Sequence, residues 1–189
     1  MKKSELISKL SEWDRAGEHK IIAIDGRCAS GKSTLAQFLS ENISCDIVHT
    51  DDFFLPFEKR TDERLSLPGG NIDHERLLSE ILVPLKNGES YTYSKFSCKN
   101  GTFTEGEKVN PKNITIVEGS YSCHPELFNF YDLHIFLNID KELQKQRILQ
   151  RNKDKTEMFF ERWIPLEEKY FSELSIKDKC EIVLSQEDI

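Results

Sequence analysis

The sequence predicts an α/β fold, a mainly parallel sheet with helices on both faces, and three observations carry that expectation. Short apolar runs alternate along the chain with stretches of helical periodicity. The first such run, KIIAID at residues 20–25, leads straight into a glycine-bounded loop and then a helix-like pattern. Finally, 189 residues with neither an internal repeat nor a low-complexity linker fit one domain, taken here as 1–189.

The elements follow in order. Leu6, Ile7, Leu10 and Trp13 stand at helical spacing, so residues 4–15 read as an amphipathic helix. Residues 20–25 form a strand, 33–39 begin a helix, and 46–50 form a second strand that ends in an acidic turn. Residues 56–71 are polar and rich in turn formers, after which 73–85 resume helical periodicity. The stretch GESYTYSKFSCKNGTFTEGEKV, residues 88–109, reads as irregular extended chain or small hairpins inserted between core elements. Strands are expected at 113–117, 133–137 and 181–184, and helices at 141–151 and 157–171, the latter interrupted at Pro165.

Composition narrows the function classes. Hydrophobic residues make up 38% and charged residues 31%, ordinary values for a globular protein. No window approaches eighteen consecutive apolar residues, so no membrane span is expected. MKKSELISKLSEW lacks the apolar core of a signal peptide, which favours a cytoplasmic protein. A net charge of -7 without a basic face argues against nucleic acid as a partner. Cys28, Cys45, Cys98, Cys123 and Cys180 are odd in number and include no CxxC pair, so free thiols are expected rather than a disulfide or zinc framework.

The chemistry starts at GRCASGKS, residues 26–33, which has the form GxxxxGKS. Gly26 and Gly31 permit backbone conformations and close approaches that a side chain would hinder. Arg27, Cys28, Ala29 and Ser30 complete a loop whose amides can face phosphate, at the N-terminus of the following helix. Lys32 can reach the outer phosphates and the Ser33 hydroxyl can ligate magnesium. Thr34 can touch the α-phosphate or merely cap the helix. ATP or GTP binding is the expectation, and the missing NKxD motif speaks against a GTPase.

Two acidic features should face that loop. HTDDFF, residues 49–54, ends a strand where an α/β crevice opens, so Asp51, or its neighbour Asp52, can act as general base or hold magnesium. In ITIVEGSY, residues 114–121, Glu118 ends an apolar strand, where magnesium, its water or a cation is a sensible partner, and a hydrogen bond to the loop backbone the alternative. Lys145, Gln146, Arg147, Arg151 and Lys153 form a basic cluster. Arg147 and Arg151 share a helix face and suit a lid over bound phosphates, at residues 141–156.

Taken together, GRCASGKST, DDFF at 51–54, GGNIDH at 69–74, VEGSY at 117–121 and QRILQRN at 146–152 resemble the uridine kinase and phosphoribulokinase family of P-loop kinases. The resemblance covers roughly residues 20–171 and implies the P-loop NTPase fold of the nucleoside and nucleotide kinase type, with a substrate-binding region at 54–110. It further implies ATP and Mg2+ as cofactors and a small-molecule hydroxyl, most simply a nucleoside's, as acceptor. By the same resemblance Asp51 activates that hydroxyl, Asp73 contacts sugar hydroxyls, and Arg147 and Arg151 touch phosphates or substrate. Asp73 taken alone reads equally well as a helix N-terminal carboxylate.

The insertion departs from nucleoside kinases, because YTYSKFSCKN at 91–100 lacks the family's base-reading histidine. Tyr93 and Phe96 can still supply an aromatic wall, and Arg60 and Arg64 can meet an anionic acceptor or simply be exposed. A sugar, sugar phosphate or riboside vitamin is therefore the alternative acceptor, and a regulatory nucleotide-binding protein a more distant one. WIPLEEKYF, residues 163–171, reads as packing, with a contribution to the substrate pocket as the other reading. A homo-oligomer is compatible with all of this.

Overall fold

The computed structural model describes residues 2–151 and 156–188. Its strands are β1 (Lys20–Gly26), β2 (Cys45–His49), the short β3 (Tyr91–Tyr93), β4 (Phe96–Ser97), β5 (Thr102–Phe103) and β6 (Glu107–Val109), then β7 (Ile114–Glu118), β8 (Leu133–Leu137) and β9 (Ile182–Leu184). Five of them form one parallel sheet in the order β2-β7-β1-β8-β9, while β3 pairs with β6 and β4 with β5 as separate antiparallel ladders. The small hairpins expected at 88–109 are those two ladders.

Side chains of β1 alternate between two cores, as a period of two requires. Ile22 and Ile24 pack with Leu6 and Leu10 of α1 (Lys3–Arg15) and with Leu35 and Leu39 of α2 (Lys32–Asn42). Ile21 and Ala23 point the other way. Beyond α3 (Asp62–Ser66), a helical stretch runs through α4 (His74–Leu77), a π-helical turn (Leu78–Leu82) and α5 (Val83–Lys86), and supplies Leu77, Ile81 and Leu82 to that second core. Burying both faces of the sheet is what parallel strands need. Each fully buried Leu or Ile contributes about 1.5–3 kcal/mol of transfer free energy.

Three short helices escape the sequence pattern: α3, inside the turn-rich stretch 56–71, α6 (Pro125–Phe128) and, after the long C-terminal helix, Ile176–Lys179. Between α6 and Ile176–Lys179 in the chain lie α7 (Lys141–Arg151), α8 (Thr156–Met158) and α9 (Ile164–Glu173), with a π-helical turn, Phe159–Trp163, between the last two. Pro165 therefore does not stop the helix. It sits in the first turn of α9 just after the widened turn, as Pro84 sits in α5 just after Leu78–Leu82. A proline lacks an N–H and its ring crowds the carbonyl one turn back, and a wider turn makes that room. The chain solves the same steric problem in the same way twice.

β1 is central, and the chain leaves it first toward β7 and β2, then toward β8 and β9. A ligand crevice is expected at such a reversal, beyond the strand C-termini. Among the described residues no helix is long and apolar enough to cross a membrane.

Candidate active site

The loop leaving β1 is shaped by two glycines. Gly26 has φ +136°, and a Cβ there would lie 2.1 Å from the Leu137 carbonyl oxygen. Gly31, at φ +99°, N-caps α2 in a left-handed conformation. Lys32 is 8% exposed, and its Nζ donates to the carbonyls of Gly26 (2.7 Å) and Arg27 (3.0 Å) and to Ser120 Oγ (3.3 Å). Ser33 and Thr34 are exposed in the first turn of α2, Ser33 on the cavity described below and Thr34 off it.

Neighbouring helices grip this loop. From α7, Gln144 Nε2 donates to the Cys28 carbonyl (3.1 Å) and Arg147 Nη1 to the Ala29 carbonyl (2.9 Å). From α9, Glu168 accepts two bonds from the Arg27 guanidinium, whose Nη1 also meets Asn138. Arg27 thus offers its side chain to the scaffold and not to the cavity. Glu167 accepts from the Cys28 N–H (2.9 Å) and from Ser120 Oγ (2.5 Å). Arg151 lines the cavity, Lys145 and Gln146 are exposed, and Lys153, with Asn152 and the rest of the expected lid through residue 155, lies outside the described residues.

A buried carboxylate anchors the base of the loop. Asp25 accepts from the N–H groups of Gly26 (2.7 Å), Tyr121 (3.2 Å) and Cys123 (2.9 Å) and from the Tyr170 hydroxyl (2.8 Å). Complete burial pushes its pKa up, and these donors with nearby Lys32 pull against that rise.

The acidic features converge on the same crevice. Asp51 lines a cavity of about 660 Å³ together with Lys32, Ser33, Glu118 and Glu167. No hydrogen bond among the described residues holds its carboxylate. Its protein surroundings push its pKa up and Lys32 opposes them, while solvent reaching it through the cavity mouth tempers the rise. Asp52 points elsewhere, accepting from the Tyr93 hydroxyl (3.3 Å) and pairing with Lys95 (3.0 Å). Glu118, 4% exposed, contacts His49 Nδ1 at 2.5 Å, and that hydrogen bond holds the His49 pKa above its ordinary value. After it, Gly119 has φ +137°, and a Cβ there would lie 1.9 Å from Thr50 Oγ1, which donates to the Ser120 carbonyl.

Phe54 and Ile72 form an isolated antiparallel bridge, and Leu55 N–H donates to Asn71 and Asp73 N–H to Phe53, so DDFF and GGNIDH are stitched together. A second cavity of about 260 Å³ opens here and shares Phe54, Arg60, Asn71, Arg162 and Trp163 with the first. The Phe54 and Trp163 rings lie 6.2 Å apart. Asn71 is buried, and its Nδ2 has no acceptor in hydrogen-bonding geometry among the described residues.

Several expected acceptor residues lie off these walls. Tyr93 stacks on Phe53 at 5.3 Å, and Phe96 is buried against Phe57 and Phe103, so Phe54 and Trp163 form the aromatic wall instead. Arg64 donates to the Gly70 and Ile72 carbonyls and to both Glu75 oxygens, which occupies its guanidinium inside the 61–75 loop. Arg60 does reach the cavities, over the Phe57 ring at 4.5 Å. Asp73 is fully buried, caps α4 through the Arg76 N–H (3.3 Å) and pairs with Lys59 (3.0 Å), which is its helix-terminal reading.

Residues missed from the sequence include Glu167, Ser120, His49, Gln144, Asn71, Phe54 and Trp163. Ser120 lay inside the quoted VEGSY motif, and Trp163 and Glu167 inside WIPLEEKYF, so the signal was position in a motif without a direction for the side chain.

The donor set suits magnesium. Ser33, Asp51 and Glu118 bring hard oxygens to one cavity beside a phosphate loop, although no ready-made cluster of three His, Cys, Asp or Glu ligands exists among the described residues. Magnesium typically takes one or two carboxylates and completes its shell with phosphate and water.

A model of the phosphoribulokinase / uridine kinase family matches residues 21–157. Uridine kinase-like protein 3 of Arabidopsis thaliana is 26% identical over 157 residues, 76% of this chain, and the match spans only 33% of that relative's length. A uridine kinase of Shewanella piezotolerans is 30% identical over 147 residues, 70% of this chain and 68% of that one. The structure described as a possible uridine kinase from Bacillus stearothermophilus shares the fold, with a TM-score of 0.64 over 95% of this chain and 99% of that one at 21% identity.

Proposed function

The chain belongs to the phosphoribulokinase / uridine kinase family, and on that premise we propose that it transfers the γ-phosphoryl group of ATP to a hydroxyl of a small molecule, a nucleoside in the first instance. The observation that carries this reading is Asp51, a carboxylate that no hydrogen bond among the described residues holds, on the same cavity wall as Lys32 and Ser33 of the phosphate loop. A nucleotide-binding regulator has no need of a base beside an acceptor cavity.

In this reading Asp51 orients the acceptor hydroxyl and takes its proton, which the upward push on its pKa favours. Lys32 turns from the loop carbonyls toward the phosphates and offsets charge on the transferring group, and Arg151 adds a second cation from the end of α7. Ser33 and Glu118 would hold magnesium, which when bound neutralises phosphate charge. Phe54 and Trp163 give a flat acceptor its walls, and closure over the cavity excludes water that would otherwise hydrolyse ATP. Residues 1–189 act as one kinase domain in this scheme, with 54–110 supplying the acceptor side and 141–156 the lid. A second reading has its own observation: Arg60 and Arg162 on the shared wall favour an acceptor that also carries an anionic group.

The test measures ADP formation with magnesium and ATP over nucleosides, riboside vitamins, sugars and their phosphates. One compound should stimulate turnover and yield a phosphorylated product. Asp51→Asn should keep nucleotide affinity and lower turnover by about 10²–10⁴-fold. Unchanged turnover removes Asp51 from its role.

A further inference from the structure

α9 turns one carboxylate inward, onto the phosphate loop. Glu167 is 5% exposed, yet it lies on the cavity wall with Lys32 and Ser33. One oxygen accepts the Cys28 N–H at 2.9 Å, and the other accepts Ser120 Oγ at 2.5 Å. Ser120 in turn accepts from Lys32 Nζ, so carboxylate and ammonium are joined through one hydroxyl. An amide of the loop and, at one remove, its lysine are thus the partners of an internal anion.

We propose that Glu167 competes with nucleotide phosphate for the phosphate loop and so sets how tightly the nucleotide is held. The inference rests on the nucleotide-binding reading above. The loop amides and Lys32 are the groups a phosphate would use, and the Cys28 amide has a single hydrogen to give. Several phosphate charges brought beside a carboxylate in a low-dielectric cavity repel it strongly. Glu167 must therefore swing away or take a proton, and burial already pushes its pKa up against the pull of Lys32, Ser120 and Cys28. The helix itself stays docked while this happens, because Glu168 keeps its two bonds to Arg27. Glu167 is in this sense a positioning residue, acting on the loop and on Lys32.

The experiment is calorimetric titration of the full chain with ADP and with inorganic tripolyphosphate, which has phosphates and no base. Glu167→Gln keeps an acceptor for Cys28 and removes the charge, so both ligands should bind about tenfold more tightly, while adenosine affinity stays within twofold. Glu167→Asp, whose carboxylate is one methylene further from the Cys28 amide, should bind both more tightly by a smaller factor, and it decides the matter should the glutamine variant not fold. A carboxylate that merely supports the loop gives the opposite sign, with weaker phosphate binding in both variants, and that result or an unchanged affinity overturns the proposal. If the wild-type chain binds neither ligand, the nucleotide-binding reading fails and takes this one with it. If the wild type binds both and the variants bind no better, only the role of Glu167 falls.

Discussion

The phosphate loop and the aromatic-walled side of the cavity, which we propose takes the acceptor, are built in different ways. The loop is gripped through its backbone, with Gln144, Arg147 and Glu167 each bonded to main-chain atoms within it, and through the Arg27 side chain bonded to Glu168 and Asn138. The acceptor side is walled by side chains, Phe54 and Trp163 with Arg60, Asn71 and Arg162, brought from three separated segments. A triphosphate presents the same atoms whatever else is bound, so a fixed backbone cradle serves it. An acceptor is defined by shape and functional groups, which only side chains read. The phosphate-cradling groups therefore sit on a short contiguous motif, and the walls of the second cavity on residues far apart in the chain.

That contrast can be broken by mutation, starting with the largest effect. Gly26→Ala should be the most damaging, because the new Cβ meets the Leu137 carbonyl at 2.1 Å and φ is +136°. A loss of roughly 3 kcal/mol or more is expected, with nucleotide binding abolished, as read by denaturant melts and ADP titration. A variant of normal stability would show that the loop is less rigid than drawn here. Arg64→Ala should cost about 2 kcal/mol by removing bonds to Gly70, Ile72 and Glu75, yet leave the KM for the acceptor within twofold. A tenfold rise in KM would return Arg64 to the acceptor site.

Smaller effects sharpen the comparison. Trp163→Ala should raise the KM for the acceptor about tenfold, worth about 1.4 kcal/mol, and leave the Kd for ADP unchanged. Equal losses in both would mean the two regions are not separable. The least effect is a pH dependence. Burial, the largest single influence, would raise the Glu75 pKa, but the Arg64 hydrogen bond, a backbone hydrogen bond and the charges of His74 and Arg64 together outweigh it, and the value falls from 4.5 to about 2. A depressed carboxylate contributes stability that is complete above its ordinary pKa and is lost as pH falls from about 4.5 through about 2. Glu75 is 56% exposed, so solvent screening keeps the contribution small. Melting curves across that window should show it in the wild type and not in Arg64→Ala.

The same division explains what the sequence disclosed. The strands and the phosphate loop were legible because apolar runs and glycine spacing are local signals. Even the two π turns had a local cue, a proline following an apolar helical stretch. Arg60 and Arg64, by contrast, are equivalent letters in one segment, and only the tertiary bonds of Arg64 to Gly70, Ile72 and Glu75 separate it from Arg60 on the cavity wall. Asp73 had two readings, and the bond from the Arg76 N–H to its carboxylate is the capping one. In WIPLEEKYF the packing reading holds for Tyr170 and Phe171, which are buried in the core. It missed Glu167, because helical periodicity marks apolar positions and says nothing of a carboxylate turned inward toward a loop 139 residues away.

Asp25 has a consequence for how the molecule comes apart. It is the common acceptor for donors from the phosphate loop, from the turn after β7 and from α9. If any one of these pulls away, a fully buried charge loses a donor in a place water does not reach, which costs several kcal/mol. Opening one segment therefore removes much of the reason for the other two to stay closed. These three stretches, distant in sequence, should therefore open as a single cooperative unit and exchange their amide hydrogens together, which native-state hydrogen exchange would read.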